Sequence, residues 1–226
     1  LKKFLGLSRY GFSERPKLVI QGFGNVGANL ARLAGEEGFN FNCVAVSDVV
    51  AGVYNPHGLH VSALFDWYQK NKTFAGYPNA EPISNADLLE LETDILLPAA
   101  TENQITGKNA DRVKASVVFE VANRAITSGA EEILSAKQIP VMPGIIASAG
   151  GVVVSFCEWS INRGMRIHEV DLSLEKDTVL RHLQKIMERT LKKTYEYATS
   201  KKCSFSFAAQ DLAMLKIWEL LKRKHS

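Results

Sequence analysis

Lys17-Leu-Val-Ile-Gln-Gly-Phe-Gly-Asn-Val-Gly27 decides the reading of this chain. Leu18-Val19-Ile20 is a short apolar run, as expected of a strand buried on both faces. It leads into Gly22-Phe23-Gly24-Asn25-Val26-Gly27, a G-x-G-x-x-G turn. Beyond the turn, Val26, Leu30, Leu33 and Ala34 recur at helical spacing through residues 25–37. Each glycine has its own physical reason. Gly22 permits a tight turn, Gly24 lets the backbone approach a diphosphate with no Cβ between them, and Gly27 lets helix and strand pack closely. The helix would then direct unpaired N–H groups and a positive dipole end at the phosphates. The motif alone is weak, because glycines are common in turns. The strand before it and the helix after it supply the context it needs.

The next strand, Cys43-Val44-Ala45-Val46, ends near Asp48, 21 positions after Gly27. A carboxylate there can accept hydrogen bonds from the adenosine ribose hydroxyls. The alternative is a surface Asp after a glycine-rich turn. The same carboxylate would repel a 2′-phosphate, and the following Val49, Val50, Ala51 and Gly52 bring no basic residue. NAD is therefore favoured as cofactor, with NADP left open to a more distant lysine.

Working outward, strand and helix patterns alternate. Residues 58–70 read as a helix through Leu59, Leu64, Phe65 and Trp67. Ser84-Asn85-Ala86-Asp87 has capping-box spacing before a short helix. Asp94–Leu97, Val117–Phe119 and Ile139–Met142 give three more strands, with a helix opening at Ser128 before the last. The alternation predicts an α/β fold, a Rossmann-like doubly wound sheet, mostly parallel. From about Ser148 the chain turns helical: residues 148–163, a long amphipathic helix over 174–199, and a last helix that Ser206 can cap, through Leu212, Leu215, Trp218 and Leu221. The expected division is a helix end and linker over 1–16, a dinucleotide-binding domain over 17–147, and a C-terminal helical appendix over 148–226 packing back on it.

Composition narrows the function classes. With 46% hydrophobic and 23% charged residues the chain has the make-up of a soluble globular protein. No run approaches the length of a membrane span, so no membrane partner is expected. The net charge of +3 argues against nucleic acid. Residues 192–226 hold eight Lys/Arg against three acidic residues, which helix C-terminal cations and solvated faces explain. Cys43, Cys157 and Cys203 stand far apart, offering neither a disulfide framework nor a zinc site. A reducing compartment is expected, cytoplasmic or the mitochondrial matrix. His57 and His60 lie three apart without an evident third ligand, so a solvated helix start is expected there and no metal. Trp67, Trp159 and Trp218 read as packing residues on apolar helix faces, and Cys157 as inert core.

Several further stretches carry a more specific signal. They are Val44-Ala45-Val46-Ser47-Asp48, Tyr54-Asn55-Pro56-His57-Gly58-Leu59, Leu97-Pro98-Ala99-Ala100-Thr101-Glu102-Asn103-Gln104-Ile105, Glu120-Val121-Ala122-Asn123 and Ala149-Gly150-Gly151-Val152-Val153-Val154-Ser155-Phe156-Cys157-Glu158-Trp159. In order and spacing, together with residues 19–27, they resemble the C-terminal NAD(P)-binding domain of the glutamate/leucine/phenylalanine/valine dehydrogenase family, and most its glutamate dehydrogenase members. The resemblance implies reversible oxidative deamination of L-glutamate to 2-oxoglutarate and ammonia, with hydride transfer to NAD(P). It implies that Gly22, Phe23, Gly24, Asn25, Val26, Gly27 and Asp48 hold the pyrophosphate and adenosine ribose. Ala99, Ala100 and Thr101 would line the cofactor cleft, and Asn123 and Ser148 would sit at the nicotinamide end. Val152 and Ser155 would touch the amino-acid side chain, the serine hydroxyl reaching a γ-carboxylate. Read without the family, Ser155 is a helix serine bonded to the carbonyl one turn back.

The sequence departs from the family where Val121 replaces a usual Gly, Arg124-Ala125 a Gly-Pro pair, Gly144 an Asp and Ser148 an Asn. These changes gather at the expected nicotinamide end. The family's catalytic lysines and aspartate, with a P-x-G-G-x-K-G-G stretch, belong to an N-terminal domain, and no such stretch occurs in this sequence. The expectation is a cofactor half with no catalytic residue of its own, inactive by itself, which shares an amino-acid substrate with that domain, with a homo-oligomer open. A start at Leu1 fits a piece of something longer. The alternatives are a stand-alone nucleotide- or partner-binding module and a branched-chain amino-acid dehydrogenase domain. Ser155 and Tyr54-Asn55-Pro56 speak against the latter.

Overall fold

A computed structural model describes residues 14–35, 40–164 and 176–225. The expected linker therefore lies largely outside the described residues, as does His168. Contacts divide the chain into two compact units that meet in sequence between Gly144 and Ile145.

The first unit is built on a seven-stranded sheet. Its strands are β1 (Lys17–Gln21), β2 (Asn42–Ser47), β3 (Gly52–Tyr54), β4 (Glu81–Ile83), β5 (Ile95–Pro98), β6 (Val117–Phe119) and β7 (Val141–Met142), in the order β4-β3-β2-β1-β5-β6-β7. β1 pairs in parallel with both β2 and β5, and β5-β6-β7 continue in parallel. β3 runs antiparallel to both β2 and β4. The mostly parallel sheet is as expected, while β3 and β4 are additions. Gly52-Val53-Tyr54 and Glu81-Pro82-Ile83 lack the apolar run that marks β6 and β7 in sequence.

The helices are α1 (Asn25–Ala34), α2 (Val61–Asn71), α3 (Asn85–Leu89) and α4 (Ser128–Ala136). They divide between the two faces because β1 alternates. Leu18 and Ile20 join Ala31 and Ala34 of α1, Leu64 of α2 and Phe74 in one buried cluster. Val19 and Leu96 join Leu88 and Leu89 of α3 and Ala130 and Leu134 of α4 in the other. This is the doubly wound arrangement. Local chemistry sets the helix starts. Ser84 caps α3, accepting from the Asp87 N–H at 3.1 Å, and Thr127 caps α4, accepting from Ala130. His60 caps α2, its Nδ1 accepting from Ala63 at 3.4 Å, so the solvated-helix-start reading of this histidine holds.

α5 (Gly144–Ala147) begins at the boundary, and the second unit contains the rest of it with α6 (Ala149–Asn162), α7 (Lys176–Lys201) and α8 (Phe205–His225). α7 and α8 form a hairpin closed by the Tyr197 hydroxyl, which donates to Asp211. That bond holds the Tyr197 phenol above its ordinary pKa. α8 starts two residues earlier than expected: Ser204, not Ser206, accepts from the Phe207 N–H at 3.1 Å, and Ser206 is buried. Cys157 is buried, as expected. Trp159 and Trp218 are not buried as expected, at 46% and 58% exposed, although Trp159 stacks on Phe156, and every residue of α8 from Ala213 to Arg223 is exposed. No helix among the described residues is long and apolar enough to cross a membrane.

Candidate functional site

The register of the sheet locates the site. Gln21 at the end of β1 lies opposite Ser47 at the end of β2 and Pro98 at the end of β5. Three loops therefore leave one edge side by side: 22–27, 48–51 and 99–101. The chain crosses to opposite sides of β1 at this point, which opens a crevice at the carboxyl ends of the strands.

The glycines of the first loop behave differently. Gly22 has φ +95°, and a Cβ on it would lie 2.7 Å from the Ala100 Cα. The turn and the Ala99-Ala100 backbone thus approach as closely as glycine allows. A Cβ on Gly27 would lie 1.9 Å from the Gly22 carbonyl oxygen, so helix and turn can pack only around a hydrogen. Gly24, in contrast, faces open space. It is the N-cap of α1 and supplies no side-chain cap. The first helical bond runs from the Ala28 N–H to the Gly24 carbonyl at 2.9 Å. The N–H groups ahead of Ala28 have no intrahelical acceptor. No acidic residue stands in the first turn to quench the positive end. Asn25 and Val26 are exposed beside it. Phe23 points the other way, buried against Phe65, Tyr68 and Phe74 with ring centroids 4.8–5.1 Å apart. Only its backbone faces the crevice side of the loop.

Asp48 is only 5% exposed. Its Oδ1 accepts from the N–H groups of Val50 (2.6 Å) and Ala51 (2.8 Å), and its Oδ2 from Phe74 (2.6 Å). The carboxylate is engaged in shaping its own loop, and any ribose contact would draw on its remaining lone pairs. Val49 and Val50 at the loop tip are 94% and 69% exposed.

Sequence reasoning missed the polar residues that hold these loops together. Buried Ser47 accepts from the Gly22 N–H at 3.4 Å and donates to Asn85 Oδ1 at 2.7 Å, and Asn85 donates to the Asp48 carbonyl at 3.1 Å. Gln21, 2% exposed, donates to Gln104 Oε1 at 2.6 Å, and Gln104 donates to Thr101 Oγ1 at 2.9 Å. Among the described residues Gln21 Oε1 has no partner. A buried acceptor without a donor is costly, and it lies at the strand end that feeds the phosphate turn. Polar residues inside otherwise apolar strand ends were the available signal. On the far side, the N–H groups of Val121 and Ala122 donate to the Pro98 carbonyl, which ties the Asn123 loop to the end of β5. Glu120 accepts from Ile126 at 3.0 Å and from Gly144 at 2.7 Å. A Cβ on Gly144 would meet Glu120 Oε2 at 3.0 Å, so these two residues fit each other.

Ser148, Val152 and Ser155 belong to the second unit, on or just before α6. All three are exposed, and the Ser155 hydroxyl does not bond the carbonyl one turn back. Among the described residues no cluster of three or more His, Cys, Asp or Glu could hold a metal.

A phosphate turn at the switch point of a doubly wound sheet is shared by many enzymes. The family model for glutamate/leucine/phenylalanine/valine dehydrogenase matches residues 7–224. The chain belongs to this family. It is 43% identical over 161 residues to the NADP-specific glutamate dehydrogenase of a Synechocystis strain, covering 67% of this chain and 37% of that one. It is 38% identical over 204 residues to the cryptic catabolic NAD-specific glutamate dehydrogenase of Bacillus subtilis, covering 90% and 45%. Its fold is similar to the hetero-hexameric glutamate dehydrogenase of Thermus thermophilus, with TM-score 0.81 at 26% identity, covering 96% of this chain and 50% of that one. The chain thus spans about half the length of these relatives, or less.

The residues present fit a dinucleotide. Gly24 leaves open space over an uncapped helix start, and the two loops beside it stand level with it. Gly144 makes room for the Glu120 carboxylate, and Arg124 has φ +56°.

Proposed function

We propose that residues 17–147 form the NAD(P)-binding domain of a glutamate dehydrogenase, with 148–226 as its helical appendix. The reaction is the reversible oxidative deamination of L-glutamate to 2-oxoglutarate and ammonia. One observation carries the cofactor reading: the N-terminus of α1, without a cap or a first-turn carboxylate, opens on free space at Gly24. The loop N–H groups and the positive end of α1 would hold a pyrophosphate there. When bound, the dinucleotide would supply hydride acceptance and return. The part of this chain is to hold and orient it, with Ala99, Ala100 and Thr101 along the cleft and Asn123 at the nicotinamide end. Val152 and Ser155 are the proposed contacts to the amino-acid side chain, Ser155 as a donor to the γ-carboxylate.

The relatives named above include one NADP-specific and one NAD-specific enzyme. A buried carboxylate at Asp48, followed by Val49 and Val50, favours NAD here, since a 2′-phosphate would meet negative charge and no cation. In this reading residues 1–226 bind and orient the cofactor and supply no catalytic lysine or aspartate, so by themselves they bind cofactor without oxidising glutamate. Assembly into an oligomer is proposed by analogy with the hexameric Thermus relative. Calorimetric titration with NAD and NADP tests the reading. Heat from NAD and a weaker response to NADP support it, and no heat from either in folded protein would sink it.

A further inference from the structure

Arg124 stands at the carboxyl edge of the sheet and has no part in the reading above. It is exposed, follows β6 in the loop tied to Pro98, and has φ +56°. Glycine adopts that conformation freely, whereas an arginine there is disfavoured. The backbone around it is firmly held. The Arg124 carbonyl accepts from Asn103 at 2.9 Å, and the Ala125 carbonyl accepts from Gln104 and Ile105. Its guanidinium makes no ion pair among the described residues. Glu120, four positions back, has both carboxylate oxygens engaged by backbone N–H groups. Glu102, on the neighbouring loop, is exposed. A fixed loop therefore presents a cation at the end of β6.

Strand order says what that cation would meet. A dinucleotide with its pyrophosphate at α1 and its adenosine towards β2 carries its other nucleoside over the ends of β5 and β6. The oxidised and reduced cofactors differ in charge at that end alone: the oxidised ring is cationic and the reduced ring neutral. Contributions from pyrophosphate, riboses and adenine cancel in the ratio of the two affinities. We infer that Arg124 is a specificity residue for cofactor redox state: it repels the cationic ring and so favours the reduced nicotinamide dinucleotide over the oxidised one. The inference rests on the cofactor reading above. For a separation of about one physiological Debye length, roughly 8 Å, Coulomb repulsion at an effective dielectric of about 40–80 would change the ratio about two- to six-fold. At about 0.15 M ionic strength, screening over a Debye length of roughly 8 Å reduces this below about two-fold.

The test titrates this chain and its Arg124→Gly, Arg124→Asn and Arg124→Lys variants with NAD+, NADH and, as a control, ADP, at low and physiological ionic strength. Glycine and asparagine both tolerate the left-handed backbone, so the neutral variants are expected to fold. The expected result is a two- to six-fold fall in Kd(NAD+)/Kd(NADH) for the Gly and Asn variants at low salt. The ratio is retained in the Lys variant, the difference collapses at high salt, and ADP affinity does not change. An unchanged ratio in the neutral variants overturns the inference, and so does a Lys variant that behaves like the Gly one. If the unaltered chain binds neither NAD+ nor NADH, the cofactor reading fails with it. If it binds both with a ratio indifferent to residue 124, only the inference fails.

Discussion

Placing the same methyl group at two glycines of one turn should give opposite results. At Gly27 a Cβ would lie 1.9 Å from the Gly22 oxygen, 3.0 Å from the Gly22 carbonyl carbon and 3.4 Å from Ile20 Cγ2. All but the last are backbone atoms that cannot swing aside, so α1 must move off β1. Overpacking of this kind costs about 1–3 kcal/mol. At Gly24 nothing lies within 4 Å, and φ is −74°, open to any L-residue. Alanine there loses some N-cap preference and gains about 0.4–1 kcal/mol from a less flexible unfolded chain. The net change should stay within about 1 kcal/mol of zero. The Gly24 methyl would, however, occupy the approach to the N–H groups. Losing one charge-assisted hydrogen bond costs about 1.5–3 kcal/mol, or roughly ten-fold or more in Kd. Urea unfolding and calorimetric titration with NAD, run on both variants, separate the effects. Gly24→Ala should unfold like the parent and bind poorly, whereas Gly27→Ala should lose both stability and binding. A Gly24→Ala protein that binds NAD like the parent would refute the placement of the pyrophosphate, and a Gly27→Ala protein of full stability would refute the packing argument.

Asp48→Ala strands the N–H groups of Val50, Ala51 and Phe74. It should cost about 2–5 kcal/mol in urea unfolding, whereas a purely ligand-binding Asp48 would leave the midpoint unchanged. Gly144→Asp should lower stability by about 1–3 kcal/mol, since its Cβ would meet Glu120 Oε2 at 3.0 Å and two carboxylates would crowd one site. Adding Glu120→Gln should restore part of the melting temperature. Burial pushes the Cys43 thiol from 9.0 up to about 12. The unfolded chain thus loses this proton first, and the stability it represents is full below pH 9 and falls between about 9 and 12. Cys43→Ala should flatten the stability–pH curve in that window, and an identical slope in both proteins would contradict it.

The β1–turn–α1 unit was legible because three glycines at fixed spacing admit few structures. Gly27 has the close helix–turn packing expected of it, its Cβ blocked at 1.9 Å, while a Cβ on Gly24 meets open space. Asp48 was legible in position and not in environment. Its acceptors turn to the N–H groups of Val50, Ala51 and Phe74, and Phe74 lies 26 positions away, beyond any local pattern. β3 and β4 went unseen because an antiparallel pairing such as Val53 with Pro82 is a long-range fact. The Ser204/Ser206 choice turned on which serine precedes the first helical residue, and both fit a cap by residue type. Trp218 has helical spacing with Leu215 and Leu221, but periodicity shows that a stripe exists without showing that anything covers it. The Gln21–Gln104 bond joins residues 83 apart and left only a polar residue at a strand end as its trace.

The two small outer strands have a consequence for behaviour at high concentration. A parallel sheet that ended on a long apolar strand would offer its bare amide edge to any other chain, and fibrillar stacking begins at such edges. Here one margin is Glu81-Pro82-Ile83, in which Pro82 has no N–H to donate and Glu81 carries charge. The opposite margin, Val141–Met142, is two residues long. Growth by strand addition is therefore discouraged at both margins of the sheet.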